Sequence, residues 1–256
     1  MFYLNSNLYS KDIALLKLNM STHASPRRSL ILGFSLLLLI TVAFSLHRAI
    51  FASPATNSTS AISKIIDAPI DIPTPQAIGT QTVVLAGGCF WGTEAVFEQL
   101  KGVSSVVSGF SGGSAATAHY DTVSGGNTGH AEAIQITYDP QQISFGQLLK
   151  IYFFVAHDPT QVNRQSPDYG TQYRSAIFFA NSEQQTVSQA YIDKLNQARI
   201  FPQPIATQLV ALTKFYPAED YHQNFIARNP NYPYVVIHDR PKIDRLRQQF
   251  PNLVRG

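Results

Sequence analysis

The sequence predicts an α+β fold: a two-layer, ferredoxin-like (split βαβ) sandwich with an added helix and strand and long functional loops. Three observations predict it. Short apolar runs suited to buried strands alternate with segments whose apolar residues recur at helical spacing. From residue 82 onward their order is strand, helix, strand, strand, helix, strand, then a further helix and strand. One connection, 111–130, has no periodicity, and connections of that length are usually functional or disordered.

The first elements surround the single cysteine. The run "TVVLA" at 82–86 is apolar without alternation, as expected of a strand buried on both faces. The apolar residues of 90–100 recur at helical spacing, and Gly102 follows as a terminator. Further strands are predicted at 103–110, 131–138, 175–180 and 205–212.

Two later helices carry a sequence signal for where they begin. Ser144 and Gln147 have the spacing of a capping box, ahead of an apolar stripe that ends before Pro159. Ser182 and Gln185 repeat that spacing before a helix predicted to run to about residue 199. Patterned segments are expected as far as about residue 237.

Composition limits the classes of function. The chain has 256 residues, 45% of them hydrophobic, enough for one domain of ~150 to 200 residues with extensions. A net charge of +3 is too small to predict nucleic-acid binding. The single cysteine, Cys89, excludes an internal disulfide and a zinc-thiolate cluster. Cys89 is therefore either a buried inert thiol or a reactive one that depends on an outside thiol.

The N-terminal part predicts membrane targeting. Residues 30–46 are apolar and uncharged, and lysines and arginines precede them. That pattern places the N-terminus in the cytoplasm and the rest of the chain across the membrane, as an anchored or an exported protein. An over-extended start site would instead leave the protein cytoplasmic. We divide the chain into a basic segment 1–28, a signal anchor or signal peptide 29–52, a Pro/Ser/Thr-rich flexible linker 53–80, and a catalytic domain 81–256.

Cys89 stands where a strand is expected to end and a helix to begin. Amides at a helix start, together with the helix dipole, lower the pKa of a thiol there. Gly87 and Gly88 allow the tight turn and the approach of another molecule. Phe90 and Trp91 are adjacent, so both cannot enter one core stripe, and one is expected to line a pocket beside the sulfur. The alternatives are that Cys89 is a core residue and that Trp91 packs under a loop.

Glu132 is the candidate acid. Strand alternation places it on the face that also carries Ile134 and Ile136, so its carboxyl is expected to be desolvated and its pKa raised. The alternative is a surface acid at a frayed strand end. The polar loop 157–175 contributes Asp168 and Tyr173 as further candidates. No metal site is predicted, because the spacings of the candidate histidines match no ligand pair: His119, His130, His157 and His222.

Four blocks in this order resemble the A-type peptide methionine sulfoxide reductases. They are "GCFWGTE" at 88–94, "GNTGHAEAIQITYDP" at 126–140, residues 157–178, and "FYPAEDYHQNF" at 215–225. The resemblance implies a thiol-dependent enzyme that reduces methionine S-sulfoxide, free or in proteins. It implies no metal and no bound organic cofactor.

The same resemblance implies a role for each matching residue. Cys89 corresponds to the nucleophile that attacks the sulfoxide sulfur and becomes a sulfenic acid, and Glu132 to the acid that protonates the oxygen. Tyr120 and Tyr173 correspond to the hydroxyls that hold that oxygen. Three further positions correspond to substrate-binding residues, namely Phe90 and Trp91 as aromatic walls and Asp168 as an orienting group.

The chain departs from a common family pattern in its last residues. Many members carry further cysteines there, whereas this chain ends "QQFPNLVRG". An external thiol is therefore expected to regenerate Cys89: a thioredoxin-like protein, glutaredoxin with glutathione, or dithiothreitol in vitro. We expect a monomer whose partners are that reductant and oxidised proteins or free methionine sulfoxide.

Two other classes of function remain open from the residues. One is an acyl-transfer enzyme or hydrolase that uses Cys89 with His130 or His119 as the base. The other is a non-enzymatic peptide-binding module with Phe90 and Trp91 as its pocket.

Overall fold

A computed structural model of the chain describes residues 64–74 and 79–256. The strands are β1 (Gln81–Ala86), β2 (Val103–Ser111), β3 (Ala131–Tyr138), β4 (Arg164–Gln165), β5 (Asp168–Tyr169), β6 (Ala176–Phe179), β7 (Gln208–Ala211) and β8 (Phe215–Pro217). The α-helices are α1 (Phe90–Glu98), α2 (Tyr120–Val123), α3 (Phe145–Ile151), α4 (Ser182–Gln197), α5 (Phe225–Arg228) and α6 (Arg240–Gln249). Single 3₁₀ turns lie at Ala115–Thr117 and Thr171–Tyr173, and π-helical turns at Tyr152–Ala156 and Val235–Asp239.

One mixed sheet has the strand order β7-β6-β1-β3-β2-β8. Its neighbours pair antiparallel except β6 and β7, which are parallel. The main elements from β1 to β6 follow one another as strand, helix, strand, strand, helix, strand, which confirms the α+β prediction. β4 and β5 form a separate hairpin in the loop before β6.

β1 is buried on both faces, as its apolar run predicts. Val83 and Leu85 belong to the main core, to which α1, α3 and α4 contribute, whereas Val84 and Ala86 belong to a smaller cluster with β3 and β6 residues. None of the four side chains is more than 1% exposed. The helices therefore form one layer on the sheet, and β1 delivers its C-terminal end, with Cys89 beyond it, to the edge of that layer.

One of the two predicted capping boxes is confirmed. The Ser144 hydroxyl accepts from the Gln147 amide at 3.2 Å, and the Gln147 side chain accepts from the Ser144 amide at 2.9 Å. The Ser182 box is wrong, because α4 is capped one residue earlier by Asn181, whose side chain accepts from the Gln184 amide. Asparagine caps a helix as well as serine does, so Asn181, whose side-chain oxygen is in position to accept from the Gln184 amide, forms the cap.

Residues 64–74, the docked segment, lie within the stretch predicted as a flexible linker. The structure differs from a free tether here. Tyr191 of α4 donates to the Ile66 carbonyl at 2.5 Å, and Asp67 pairs with Lys150 at 2.6 Å. Asp71 accepts from the Gly146 amide at 2.9 Å at the start of α3. Isoleucines of the segment also pack against the core.

The predicted segments 1–28 and 29–52, with the apolar run 30–46, lie outside the described residues. In the part of the chain that the structure describes, no helix combines the length and the apolarity needed to cross a membrane.

The C-terminal part extends beyond the pattern expected to end near residue 237. Beyond that residue α6 packs against α1, and Leu246 of α6 and Phe250, which follows the helix, belong to the main core. The sequence of α6, "RPKIDRLRQQ", is dominated by charges, so its apolar stripe is too sparse for periodicity to reveal.

Candidate active site

Cys89 is the N-cap residue of α1, reached from β1 through Gly87 and Gly88. Gly88 has a φ of 80°, a left-handed conformation that favours glycine. A Cβ at Gly87 would lie 2.8 Å from the ring of His157, and one at Gly88 would lie 2.6 Å from the Gln165 side chain. The two glycines therefore let the turn pack directly on the loop after α3. Cys89 is partly exposed as a residue, but its thiol is surrounded by protein atoms.

The pKa of the Cys89 thiol is raised well above its ordinary value. Burial is the largest cause, followed by the nearby carboxylates Glu132 and Asp239, whereas the Trp91 amide and Lys242 act in the lowering direction. The lowering of the thiol pKa predicted from the helix start is therefore wrong. The amide contributes as expected, but desolvation and two acidic neighbours outweigh it.

Glu132 is buried on β3, opposite Phe110 of β2. One carboxyl oxygen accepts from the Phe90 amide at 3.1 Å, so β3 and the first residue of α1 are joined beside Cys89. Burial, with a smaller contribution from Asp168, raises the pKa of Glu132 to about 8, although the Phe90 amide opposes the shift. The buried carboxyl predicted from strand alternation thus keeps its proton at neutral pH.

Two tyrosine hydroxyls face the same acid. Burial raises the pKa of Tyr120, and the Glu132 carboxylate raises it further. Burial, Glu132 and Asp168, in that order, raise the pKa of Tyr173. Cys89 acts in the same direction on both, so the structure brings the two hydroxyls together with the thiol and the acid. Both stay protonated at neutral pH and can donate.

Phe90 and Trp91 point into different surroundings, as their adjacency requires. Phe90 is 1% exposed, with its ring centroid 5.8 Å from that of Phe110. Trp91 stacks on Phe225 with ring centroids 3.7 Å apart and planes 7° apart. Its indole Nε1 donates to His222 Nδ1 at 3.1 Å. Trp91 is therefore held as a fixed wall next to Cys89.

Asp168 lies on β5, and its carboxylate accepts from the hydroxyl of Tyr234. The Tyr234 ring meets Trp91 edge-on at 6.1 Å between centroids. Asp168 is thereby joined through Tyr234 to the aromatic wall, and its charge acts on Glu132 and Tyr173. All seven residues selected from the sequence are thus brought into one neighbourhood.

The C-terminal residues of this neighbourhood were not selected from the sequence. The sequence indicates His222 only as a possible metal ligand, and no pattern in it indicates Tyr234, Asp239 or Lys242. His222 is 1% exposed, with its ring 4.2 Å from that of Tyr120 between centroids. The available signal was the density of aromatic residues between 215 and 234, which periodicity analysis ignores.

The two histidines predicted as the base of an acyl-transfer enzyme, His130 and His119, have other partners. Both His130 nitrogens are engaged by loop backbone: Nδ1 accepts from the Gly113 amide at 3.2 Å, and Nε2 is 2.9 Å from the Ser114 carbonyl. The His119 side chain is 71% exposed and lies 3.9 Å from Glu219. Within residues 64–74 and 79–256, no three metal-ligating side chains cluster.

Known proteins share both the sequence and the fold of this region. A family model, peptide methionine sulfoxide reductase, matches residues 81–253. The chain is 55% identical over 200 residues to the peptide methionine sulfoxide reductase MsrA 2 of Synechocystis sp., covering 77% of this chain and 94% of that protein. It is 54% identical over 177 residues to MsrA 2 of Mesorhizobium japonicum, covering 69% of this chain and 91% of that protein.

Solved structures agree. The methionine sulfoxide reductase A of Corynebacterium diphtheriae superposes with a TM-score of 0.53 at 35% identity, covering 61% of this chain and 79% of that one. Reduced Mxr1 from Saccharomyces cerevisiae superposes with a TM-score of 0.55 at 30% sequence identity, covering 61% of this chain and 92% of that one. With a lone thiol beside a buried protonated acid, in a fold and sequence shared with these enzymes, the chain belongs to the peptide methionine sulfoxide reductase family, A type, and is a peptide-methionine (S)-S-oxide reductase.

Proposed function

We propose that Cys89 attacks the sulfur of methionine S-sulfoxide while Glu132 supplies the proton that its oxygen needs. The Cys89 sulfur gains the oxygen and is oxidised to a sulfenic acid, and the substrate sulfur is reduced and leaves as methionine. The observation that carries this role is the buried Glu132 carboxyl, whose pKa of about 8 leaves it protonated at neutral pH beside the only thiol. A general acid works best when its pKa lies near the working pH.

Tyr120 and Tyr173 hold the sulfoxide oxygen in this proposal. Their raised pKa values keep both hydroxyls as donors, and both respond to the charges of Glu132 and Cys89. Donors fixed where negative charge develops stabilise the transition state without reorganisation.

The methyl end of the substrate packs against Phe90 and Trp91. Stacking on Phe225 and the hydrogen bond to His222 restrain Trp91, so little side-chain freedom is lost when a substrate binds. Asp168, fixed by the Tyr234 hydroxyl, orients the substrate and the neighbouring polar groups.

A thiol from outside the chain completes the cycle, because Cys89 is the only cysteine in the sequence. A first thiolate attacks the sulfenic sulfur, forms a mixed disulfide and releases water; a second thiol attacks that disulfide and restores Cys89. A thioredoxin-like protein, glutaredoxin with glutathione, or dithiothreitol in vitro has the required chemistry. The substrates are oxidised proteins or free methionine sulfoxide.

The test gives the purified chain separate S and R methionine sulfoxide with dithiothreitol and counts the methionine formed, with Cys89→Ser as control. We expect turnover of the S epimer alone and none in the variant. Equal turnover of the two epimers, or turnover by the variant, would contradict the proposal. A thioester on Cys89 would support acyl transfer, and binding without consumption of reductant would support the peptide-binding module.

We also propose that residues 30–46 direct the reductase across a membrane, on the basis of their apolar run and the basic residues before them. Fractionation of cells that make the chain from its first methionine tests this. The intact domain in the membrane or extracytoplasmic fraction is expected, whereas its recovery only from the cytoplasmic fraction would overturn the proposal.

A further inference from the structure

A buried ion pair lies behind the first turn of α1. The Asp239 side chain is completely buried, and its Oδ1 lies 3.0 Å from Lys242 Nζ, whose side chain is 17% exposed. Both residues come from the C-terminal part, Asp239 at the end of a π-helical turn and Lys242 in the first turn of α6. Neither residue takes part in the reduction of the sulfoxide proposed above.

Gly92 lets this pair reach the helix. A Cβ at Gly92 would lie 2.1 Å from Asp239 Oδ1 and 2.8 Å from Lys242 Nζ, closer than a side chain there allows. Gly92 is the third residue of α1, and Cys89 is the N-cap. An N-cap side chain reaches toward the amides of the second and third helical residues, so the two charges lie within one turn of the Cys89 sulfur.

Stability alone does not account for the pair. Asp239 Oδ2 is buried and has no hydrogen-bond partner among residues 64–74 and 79–256. A buried charge with an unsatisfied oxygen is costly, and a well-packed apolar pair in its place is often at least as stable. Its two charges act in opposite directions on Cys89, since Asp239 raises the pKa of the thiol and Lys242 lowers it.

We propose that Asp239 and Lys242, held against Gly92, are positioning residues that set the charge balance beside the Cys89 sulfur and thereby its reactivity toward electrophiles. Asp239 anchors the Lys242 ammonium at the start of α1 and offsets it, so that the free enzyme keeps most of its thiol protonated. This role rests on Cys89 being the reacting group, but alkylation requires no sulfoxide, so this inference and the proposed function can fail separately.

Other charged or ionisable side chains face the sulfur or the pair, and none of them is substituted in the test. Facing Cys89 are Glu132 from β3 and the hydroxyls of Tyr120, Tyr173 and Tyr234. Facing the pair are Asp168 from β5, His238, and His157 from the loop after α3.

The experiment measures the rate at which iodoacetamide alkylates the full chain from pH 6 to pH 11. The thiolate forms the sulfur–carbon bond and releases iodide, and peptide-mass spectrometry counts the adduct on Cys89, the single cysteine, separately from adducts on lysines and histidines. Asp239→Asn is expected to lower the midpoint of the profile by about 0.5 to 1 pH unit and Lys242→Met to raise it by a similar amount. Midpoints that move in the same direction, or that do not move, would overturn the proposal.

The matched control is Arg247→Met. It removes one cation from α6 as well, but Arg247 binds Gln99 beyond the C-terminal end of α1, about 15 Å along the helix from Cys89. Its profile is expected to match that of the wild type, and a shift equal to that of Lys242→Met would show a general effect of net charge and overturn the proposal.

If Lys242→Met fails to fold, the double variant Asp239→Asn/Lys242→Met replaces it, because it leaves no buried charge unpaired. Its midpoint is expected above that of Asp239→Asn, and a midpoint at or below it overturns the proposal.

Discussion

The first turns of α1 and α3 both offer free backbone amides, but the two helices use these amides for different purposes. At α3, Ser144 and Gln147 cap each other, and Asp71 of the docked segment accepts from the Gly146 amide. At α1, the N-cap Cys89 makes no side-chain capping hydrogen bond, and the Phe90 amide is directed to Glu132. Helix starts leave several amides without partners inside the helix. α3 satisfies them for stability, whereas α1 leaves them facing the groups that react.

The difference implies that the start of α1 serves mainly activity and the start of α3 mainly stability. Substitutions at the start of α1 should abolish or slow the reaction with little loss of stability. Substitutions at the start of α3 should lower stability and leave the reaction rate of the folded protein unchanged.

The largest effect is expected from Cys89→Ser. Turnover of methionine S-sulfoxide should be lost, because a hydroxyl cannot form the sulfenic acid. Serine is a better N-cap than cysteine, so the variant should be as stable as the wild type or up to about 1 kcal/mol more stable. Turnover assays and thermal unfolding check both parts, and a less stable variant would show that the Cys89 side chain has a structural role at this helix start.

Glu132→Gln should slow methionine formation by about 10²- to 10⁴-fold, the usual contribution of a general acid. Glutamine still accepts from the Phe90 amide, so unfolding should change little. In the wild type the reaction needs the acid protonated and the Cys89 thiol ionised, and the pKa of the thiol is the higher of the two, so kcat/KM should rise with pH up to about 8 and then level off, because deprotonation of the acid offsets the further gain in thiolate. The levelling near pH 8 should be absent from the pH profile of the variant, which should keep rising. A variant that still levels off near pH 8 would assign the titration to another group.

Ser144→Ala tests the other helix start. It removes the acceptor for the Gln147 amide and the hydroxyl that donates to Asp71, so the free energy of unfolding should fall by about 1 kcal/mol. Turnover measured well below the unfolding temperature should equal that of the wild type. A loss of activity in the folded variant would break the separation between the two helix starts.

The smallest effect is expected from Asp71→Ala, with Asp67→Ala as its matched control. Each variant removes one carboxylate from the docked segment. Asp71 lies at a helix start and accepts an amide hydrogen bond, so its loss should cost about 0.3 to 1 kcal/mol. Asp67 is 81% exposed in its pair with Lys150 and should cost less than about 0.5 kcal/mol. Equal costs in chemical denaturation would show that charge alone holds the segment.

The fold and the reacting groups could be predicted where local chemistry determines them. Continuous apolar character identified β1, and the Ser144 capping box identified the start of α3. Alternation along β3 placed Glu132 on the buried face, where its raised pKa follows from desolvation. Each of these inferences needs only neighbours a few residues apart in sequence.

What the sequence could not reveal depends on contacts between distant parts of the chain. The raised pKa of Cys89 comes from burial and from Asp239, which is 150 positions away in sequence. The docked segment looks like a linker because its aspartates and the Ile66 carbonyl have partners on α3 and α4, more than 70 positions away in sequence. His222 restrains Trp91 from a region without regular periodicity. The composition of the chain and the spacing of its residues do not reveal such contacts.

The most direct test of the account is a single turnover without reductant. The chain would be mixed with an excess of methionine S-sulfoxide, methionine would be counted, and the protein would be examined by intact-mass and peptide-mass spectrometry with dimedone as a trap. We predict one methionine per chain, one added oxygen, and a dimedone adduct at Cys89 alone. Continued turnover without a thiol, or methionine formed with Cys89 unmodified, would contradict the assignment of Cys89 as the group that takes the oxygen.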